Sequence, residues 1–184
     1  MTTDATSAPD LRATLLHAAR AELTEGGSAA VSLRAVARRA GVSHAAPGYA
    51  FGDRAGLLTA VAAQGFRELA AALDEPPVAA GRAGLAELGR RYVGFAQAEP
   101  ALYEVMFRPG NLVEGDAELE SARSASLRAL TRLTRSDGAD QPPGEVTLIS
   151  WAFAHGAASL ATQGALEPQT VDALIGRFAG LALH

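Results

Sequence analysis

The segment over residues 32–51, SLRAVARRAGVSHAAPGYAF, limits the possible folds of this chain more than any other part of its sequence. Ser32 is a favourable N-cap residue for a helix over residues 33–40. Gly41 follows that helix and tolerates the left-handed backbone of a tight turn. Ser43 is then predicted to cap a second short helix. The pattern predicts two short helices joined by a glycine turn, which is the outline of a helix-turn-helix.

Small and apolar residues stand where the two helices of such a motif would cross. Ala37 and Ala40 allow close approach of the helices, and Val42 can fill the space at the crossing. The first helix also carries three arginines, Arg34, Arg38 and Arg39. Basic side chains there suit contacts to DNA phosphates, while the first residues of the second helix would meet base edges. The alternative is an ordinary helical hairpin with a solvated arginine face.

The composition favours helices and excludes several classes of protein. Hydrophobic residues make up 48% of the chain but aromatic residues only 5%, so alanine, leucine and valine must form the core. Alanine is the best helix former and strand-favouring residues are sparse, so we expect an all-α fold. The absence of cysteine excludes disulfides, thiolate metal sites and a cysteine nucleophile. The polar, acidic N-terminus is unlike a signal peptide and no apolar run reaches membrane-spanning length, so we expect a cytoplasmic protein without membrane contact.

Charge is distributed unevenly along the chain, whose formal net charge is −4. Residues 1–67 contain seven arginines and five acidic residues, a net charge of +2. The remaining residues contain nine arginines and fifteen acidic residues, a net charge of −6. A basic end joined to an acidic body is typical of a chain that binds DNA through that end.

Apolar periodicity and helix-breaking residues divide the chain into about nine helices. The first is predicted over residues 10–25, where Gly26-Gly27 ends it, and Asp53 is predicted to cap a long helix over residues 54–73. Further helices are predicted over residues 84–98, 100–107, 114–135, 144–163 and 169–183, with a polar loop over residues 136–145. We divide the chain into a disordered tail (1–9), a three-helix head (10–54) and a helical body (55–184).

Beyond the turn motif, residues spread over a stretch of about 45 positions resemble the TetR/AcrR family of bacterial transcriptional regulators in order and spacing. The matching residues are Leu15, Ala18, Leu23, Gly26, Ser32, Leu33, Val36, Ala37, Ala40, Gly41, Val42, Ser43, Phe51, Arg54, Leu57 and Leu58. The resemblance implies a three-helix DNA-binding head whose long fourth helix leads into an effector-binding and dimerisation body. It also implies a homodimer that binds a near-palindromic operator in double-stranded DNA, with one head on each half-site.

Position by position, the same resemblance assigns the DNA contacts of the head. The residues expected to face the major groove are Ser43, His44, Ala45 and Tyr49. The residues expected to hold phosphates are Ser32, Arg34 and Arg54, together with backbone amides at the start of the long helix.

The second helix of the motif departs from the family pattern. Gly48 and Ala50 stand where the family usually has tyrosine and histidine, and the aromatic residue is Tyr49. Pro47 lacks an amide hydrogen, which a helix tolerates only in its first turn. We therefore expect a short and intrinsically weak recognition helix.

Two segments of the body resemble the C-terminal domain of one branch of the family, named for a Trp-His-Gly motif. They are PALYEVMF over residues 100–107 and Trp151-x-x-x-His155-Gly156. This resemblance implies a pocket for a small, largely apolar effector. Its expected lining is Tyr92, Phe95, Leu102, Tyr103, Met106, Phe107, Trp151 and His155. The alternative is that these side chains only fill the core.

The resulting hypothesis is a transcriptional repressor that a small molecule releases from its operator, and ligand-promoted binding is the open alternative. In the family the last two helices pair across a two-fold axis, and we expect the homodimer to form through them. An enzyme is one rival, but the histidines (His17, His44, His155 and His184) are scattered and no catalytic, cofactor-binding or metal-binding motif is present. The other rival is a helical interaction protein whose helix-turn-helix does not touch DNA.

Overall fold

The computed structural model describes residues 8–78, 80–131 and 144–182, and these residues form an all-α fold. The described part contains nine α-helices, one 3-10 turn and no strand. The helices are α1 (Ala8–Ala30), α2 (Leu33–Ala40), α3 (Ala46–Phe51), α4 (Arg54–Asp74), α5 (Arg82–Ala98), α6 (Pro100–Met106), α7 (Ala117–Thr131), α8 (Glu145–Thr162) and α9 (Pro168–Ala182). The predicted all-α class and number of helices are confirmed.

The first helix is longer than the sequence predicted. α1 begins at Ala8, inside the stretch expected to be a disordered tail, and residues 1–7 of that stretch lie outside the described residues. At its other end α1 bends at Gly27, where φ is 67° and ψ is −175°, and a further turn continues to Ala30. The Gly26-Gly27 pair therefore ends the regular part of the helix, as predicted, because Gly27 adopts a non-helical backbone conformation that other residues avoid.

The start of α7 also differs from its predicted position. The helix begins at Ala117, three residues later than expected, because Asp116 caps it. The Oδ1 atom of Asp116 accepts a hydrogen bond from the Leu119 amide at 2.9 Å. The predicted end of this helix and most of the polar loop that follows fall on residues 132–143, outside the described residues.

The chain divides into two compact units. Unit 1 comprises, among the described residues, 8–65 and 101–120. Its core includes large side chains that are at most 1% exposed, among them those of Leu15, Leu23, Val36, Leu57 and Met106. Thr59 connects the two segments of this unit, because its hydroxyl oxygen accepts a hydrogen bond from the Val113 amide at 2.8 Å. Gly65 leaves room for α6, since an added Cβ would lie 2.7 Å from the Met106 sulfur.

Unit 2 comprises residues 66–100 and 121–184, of which 79, 132–143, 183 and 184 are not described. Its helix α5 lies against α8 and α9. Gly89 makes this approach close, since an added Cβ would lie 2.9 Å from Ile175. Arg91 holds the end of α4 by donating to the carbonyl oxygens of Leu73 at 3.4 Å and Pro76 at 2.6 Å.

The long helix α4 contributes residues to both units, because the first unit ends at Gly65 within it. The predicted boundary between head and body, after residue 54, stays a prediction. None of the described helices combines the length and the hydropathy needed to span a bilayer.

Candidate DNA-binding site and candidate effector site

Local capping defines α2 and the turn after it, as the sequence predicted. Ser32 has extended backbone angles (φ −140°, ψ 154°), and its hydroxyl oxygen accepts a hydrogen bond from the Ala35 amide at 3.2 Å. Gly41 adopts the left-handed conformation (φ 68°, ψ 28°) that ends the helix. The amides of Gly41 and Val42 donate to the carbonyl oxygens of Arg38 and Ala37, which is the Schellman arrangement of a glycine-terminated helix.

The second helix of the motif starts later than predicted. Its N-cap position is Ala45, without a side-chain cap, so the prediction that Ser43 caps it is wrong. Instead the Ser43 carbonyl oxygen accepts from the Ala46 amide at 3.1 Å, which adds a turn before the helix. Pro47 is buried and lies in the first helical turn, where its missing amide hydrogen costs little. α3 is only six residues long, in agreement with the expected short recognition helix.

The residues that the resemblance assigns to the major groove are all exposed: Ser43, His44, Ala45 and Tyr49. Tyr49 is 91% exposed, the largest value among the large hydrophobic residues of the described chain. A tyrosine left this open contributes little to the folded core.

The arginines near the motif fall into two groups. Arg34 and Arg38 are exposed and make no ion pair with another described residue. Arg39 instead binds α1: its Nε donates to Glu22 at 2.7 Å, and its Nη1 donates to Glu25 at 2.8 Å while Nη2 also contacts that carboxylate. The hydrogen bond to Glu25, followed by the one to Glu22, raises the pKa of Arg39 above its ordinary value. The expectation that all three arginines of α2 are available to phosphates is corrected, because Arg39 already pairs with two carboxylates.

Arg54, expected to hold a phosphate, makes internal hydrogen bonds. Its Nε donates to the Val31 carbonyl at 2.8 Å and its Nη2 donates to the Ser28 carbonyl at 2.6 Å. These bonds connect the start of α4 to the last turn of α1 and to Val31, which precedes Ser32, a predicted phosphate ligand. Sequence reasoning found this residue but could not show that its donors face inward.

Two further residues hold the end of α3 and were missed by the sequence reasoning. Gly56 lies against it so closely that an added Cβ would collide with the Phe51 carbonyl oxygen. The available signal was a glycine in the first turn of a predicted helix. Arg12 of α1 lies over the Phe51 ring, 4.8 Å from its centroid, and pairs with Glu118 at 2.7 Å. Nothing in the local sequence around Arg12 indicates these distant contacts.

In unit 2 three of the predicted pocket residues form a hydrogen-bonded cluster, which we call the Tyr92 cluster: Tyr92, Trp151 and His155. The Tyr92 side chain is fully buried, and its hydroxyl lies 3.2 Å from Nδ1 of His155. The Trp151 indole nitrogen donates to the same hydroxyl at 3.3 Å. Burial lowers the pKa of His155, which favours the neutral imidazole. The i, i+4 spacing that placed Trp151 and His155 on one helical face is reflected in a ring separation of 6.3 Å.

The other predicted pocket residues are divided between the units. Phe95 belongs to unit 2, while Leu102, Tyr103, Met106 and Phe107 belong to unit 1, where the rings of Tyr103 and Phe107 lie 4.8 Å apart. Unit 2 contains a small cavity lined by different residues: Leu85, Leu88, Gly89, Leu130, Ser150, Phe153, Ala154, Ile175 and Phe178. Its volume is about 20 Å³, space for one water molecule, and the Ser150 hydroxyl is buried beside it without a hydrogen-bond partner among the described residues. Among the described residues, no group of acidic or histidine side chains is arranged to hold a metal ion.

A capped helix, a left-handed glycine and an exposed second helix preceded by exposed arginines define a helix-turn-helix of the kind found in DNA-binding regulators. The family model described as bacterial regulatory proteins, tetR family, matches residues 15–61. A second model, described as the C-terminal domain of tetracycline-repressor-like proteins, matches residues 85–179. The chain belongs to the TetR family of transcriptional regulators.

Solved structures agree with this assignment. A protein of unknown function from Rhodococcus sp. RHA1 is 36% identical, with 94% of this chain and 93% of that chain covered and a TM-score of 0.77. Two more distant structures show the same fold. A TetR transcriptional regulator from Rhodococcus sp. RHA1 is 18% identical, with coverage of 96% and 98% and a TM-score of 0.70. The TetR-like regulator LfrR from Mycobacterium smegmatis, in complex with proflavine, is 20% identical, with coverage of 95% and 96% and a TM-score of 0.60. The comparison with curated proteins finds no match.

Proposed function

We propose that this regulator is a homodimeric repressor that leaves its operator when a small molecule binds to the body. The observation that carries the DNA-binding part is the exposed surface formed by Ser43, His44, Ala45 and Tyr49 beside free arginines. A regulator that acts on chromosomal DNA works in the bacterial cytoplasm, where we place this one.

The proposed contacts fall into two groups: contacts to phosphates, which supply affinity, and contacts to bases, which supply sequence specificity. Ser32 and Arg34 bind phosphates, and Arg38 joins them because its guanidinium is exposed on the same helix. Ser43, His44, Ala45 and Tyr49 meet the bases of the major groove. Arg54 supports these contacts indirectly, since its donors hold the backbone that precedes the Ser32 cap.

The proposed dimer forms through α8 and α9. These helices expose large apolar side chains, including Leu148, Ile149, Trp151, Leu160, Leu174 and Leu181, of which Leu181 is 75% exposed. Contiguous apolar residues on a helix pair usually mark an interface, because water is a poor environment for them. Small residues between them, such as Gly176, allow a second copy to approach closely.

The proposed effector is small and largely apolar, and the Tyr92 cluster supplies the polar contacts of its site. Buried polar groups inside an apolar lining commonly fix the orientation of a ligand. That LfrR binds proflavine supports a small-molecule effector of this kind here. An effector favours release only if it binds the DNA-free state more tightly than the DNA-bound state.

A selection from fragmented DNA of the source genome, followed by gel-shift titration, tests the DNA-binding part. We expect enrichment of near-palindromic fragments bound as a dimer. A folded protein that enriches no fragment at low salt would contradict the proposal and favour an interaction protein that does not touch DNA. A reporter gene fused to the enriched promoter then distinguishes a repressor from an activator. Deletion of the regulator's own gene raises expression of the reporter only if the protein is a repressor.

A further inference from the structure

The exposed face of α3 offers DNA mostly apolar surface. Ala45 is exposed, Pro47 is buried and Gly48 has no side chain. The Tyr49 amide donates to the Ala45 carbonyl at 3.1 Å, so these two residues lie one helical turn apart on the same face. The face therefore presents a methyl group and, one turn further, an aromatic ring that is 91% exposed.

Apolar side chains can recognise one particular group in the major groove. The C5-methyl group of thymine is the apolar feature of the base edges there, and alanine and aromatic side chains contact it. The hydrogen-bonding side chains Ser43 and His44 precede α3, whereas along the helix itself the single side-chain hydrogen-bonding group is the Tyr49 hydroxyl.

We propose that α3 recognises thymines by contact of their C5-methyl groups with the Ala45 methyl and the Tyr49 ring. This inference rests on the proposed DNA-binding function and assigns the class of base that the helix reads. Arg34 and Arg38 add affinity without sequence preference, because they reach phosphates rather than base edges.

Helix geometry limits how far apart the recognised thymines are. Four residues advance about 6 Å along a helix, and successive bases of one strand are separated by about 3.4 Å. The Ala45 methyl and the Tyr49 ring therefore address base pairs one or two steps apart. Each half-site contains a pair of thymines at this spacing, on the same strand or on opposite strands.

The test replaces thymine by deoxyuridine in an operator half-site selected from random DNA with the full-length protein. This exchange removes only the C5-methyl group and keeps every hydrogen-bonding group of the base. We expect two positions in each half-site at which dissociation constants rise about fourfold, the factor that corresponds to burial of one methylene-sized group. All other thymines tolerate the exchange.

A protein variant shows which of the two thymine positions is contacted by Ala45. In Ala45→Gly the methyl partner is absent, so the thymine and deoxyuridine operators bind equally at one position and still differ at the other. Ala13→Gly, which changes an exposed alanine of α1, is the matched control and keeps both differences. Arg34→Ala weakens both operators by the same factor.

The outcomes separate the inference from the function on which it rests. If the protein selects a DNA sequence but binds each deoxyuridine operator within 1.5-fold of the thymine operator, the methyl-recognition proposal is overturned. The proposed function as a DNA-binding regulator then still stands. A protein that selects no sequence overturns both.

Discussion

The DNA-binding head and the Tyr92 cluster use polar side chains in opposite ways. In the head, Arg34 and His44 face solvent, whereas in unit 2 the side chains of Tyr92, Trp151 and His155 bind one another. An exposed polar group keeps its hydrogen-bonding capacity for a partner, while a buried one must be satisfied inside the protein. This difference supports the proposal that the head binds DNA and that the cluster contacts a small, largely apolar effector.

The same distinction exists among the arginines of the head. Arg34 and Arg38 are exposed, but Arg39 and Arg54 are bound to carboxylates and to backbone carbonyls. Four arginines that look alike in sequence thus have two different environments. A set of variants, in order of decreasing effect, tests whether this division between outward-facing and internally bound groups is correct.

Gly56→Ala is expected to have the largest effect, because it disturbs the backbone behind the outward-facing surface. The new Cβ would collide with the Phe51 carbonyl oxygen, so α3 and α4 must separate. We expect the free energy of unfolding to fall by about 3 kcal/mol, the upper part of the usual range for overpacking, and operator binding to be lost. Urea denaturation followed by circular dichroism measures the first effect.

Gly94→Ala is the matched control for this variant. Gly94 is an exposed glycine of α5 whose added Cβ would meet nothing within 4 Å. The helix should gain up to about 1 kcal/mol, because alanine restricts the unfolded chain more than glycine does. Equal stability of the two variants would show that α3 and α4 can adjust without cost.

Arg54→Ala and Arg34→Ala separate the internally bound arginine from a free one. Arg54→Ala removes two charge-assisted hydrogen bonds to carbonyl oxygens, and we expect a loss of about 2–3 kcal/mol of unfolding free energy. Arg34→Ala should change stability by less than about 0.5 kcal/mol but lower the slope of log affinity against log salt by about one unit. If Arg54→Ala instead lowers the slope and keeps the stability, the result would support its predicted role as a phosphate ligand.

The sequence predicted those features that depend on nearby residues. Ser32, Gly41 and Asp53 act within a few residues of their partners, and each cap is found where it was expected: the Asp53 carboxylate accepts from the Gly56 amide at 2.9 Å. The orientation of Arg39 and Arg54 depends on α1 and on the loop before α2, more than ten residues away along the chain. A sequence motif reports which residue types are present, but not which way a long side chain turns.

The expected effector pocket shows the same limit. Helical spacing correctly placed Trp151 and His155 on one face, but their hydrogen-bonded partner Tyr92 comes from another helix 59 residues from Trp151. The cavity beside Ser150 involves residues that carry no motif and are ordinary apolar helix residues. Pockets form where several helices meet, so their lining depends on packing that no local pattern records.

Tyr92→Phe tests the internally bound cluster with a smaller expected effect. The variant keeps the ring and removes the hydroxyl that joins Trp151 to His155. We expect a loss of about 1–2 kcal/mol, because two nitrogens lose a partner although the half-exposed Trp151 can turn to water. Trp151 is the single tryptophan of the chain, so a shift in its emission spectrum reports the loss directly. An unchanged spectrum with unchanged stability would show that the hydroxyl contributes nothing to the cluster.

The smallest expected effect is the pH dependence of stability that His155 of the Tyr92 cluster contributes. It tests whether the cluster is shielded from water, in contrast to the exposed head. Burial lowers the pKa of His155 below its ordinary value of 6.5. At a pH between the pKa of the folded protein and 6.5, the unfolded chain therefore binds a proton that the folded chain does not. The contribution of His155 to stability is therefore complete above pH 6.5 and decreases as the pH falls through this window, then stays constant below the folded pKa.

Trp151 fluorescence measures the protonation itself. A protonated imidazole quenches indole emission, and the two rings lie 6.3 Å apart, so we expect emission of the folded protein to fall with a midpoint below pH 6.5. Protonation also obliges Nδ1 of His155 to donate, and the Tyr92 hydroxyl must then accept from both neighbours. His155→Gln retains a hydrogen-bonding side chain and should remove the transition, whereas His44→Gln in the head should leave it unchanged. A transition that survives in His155→Gln would belong to another group, and a midpoint above pH 6.5 would mean that burial does not lower the pKa of His155.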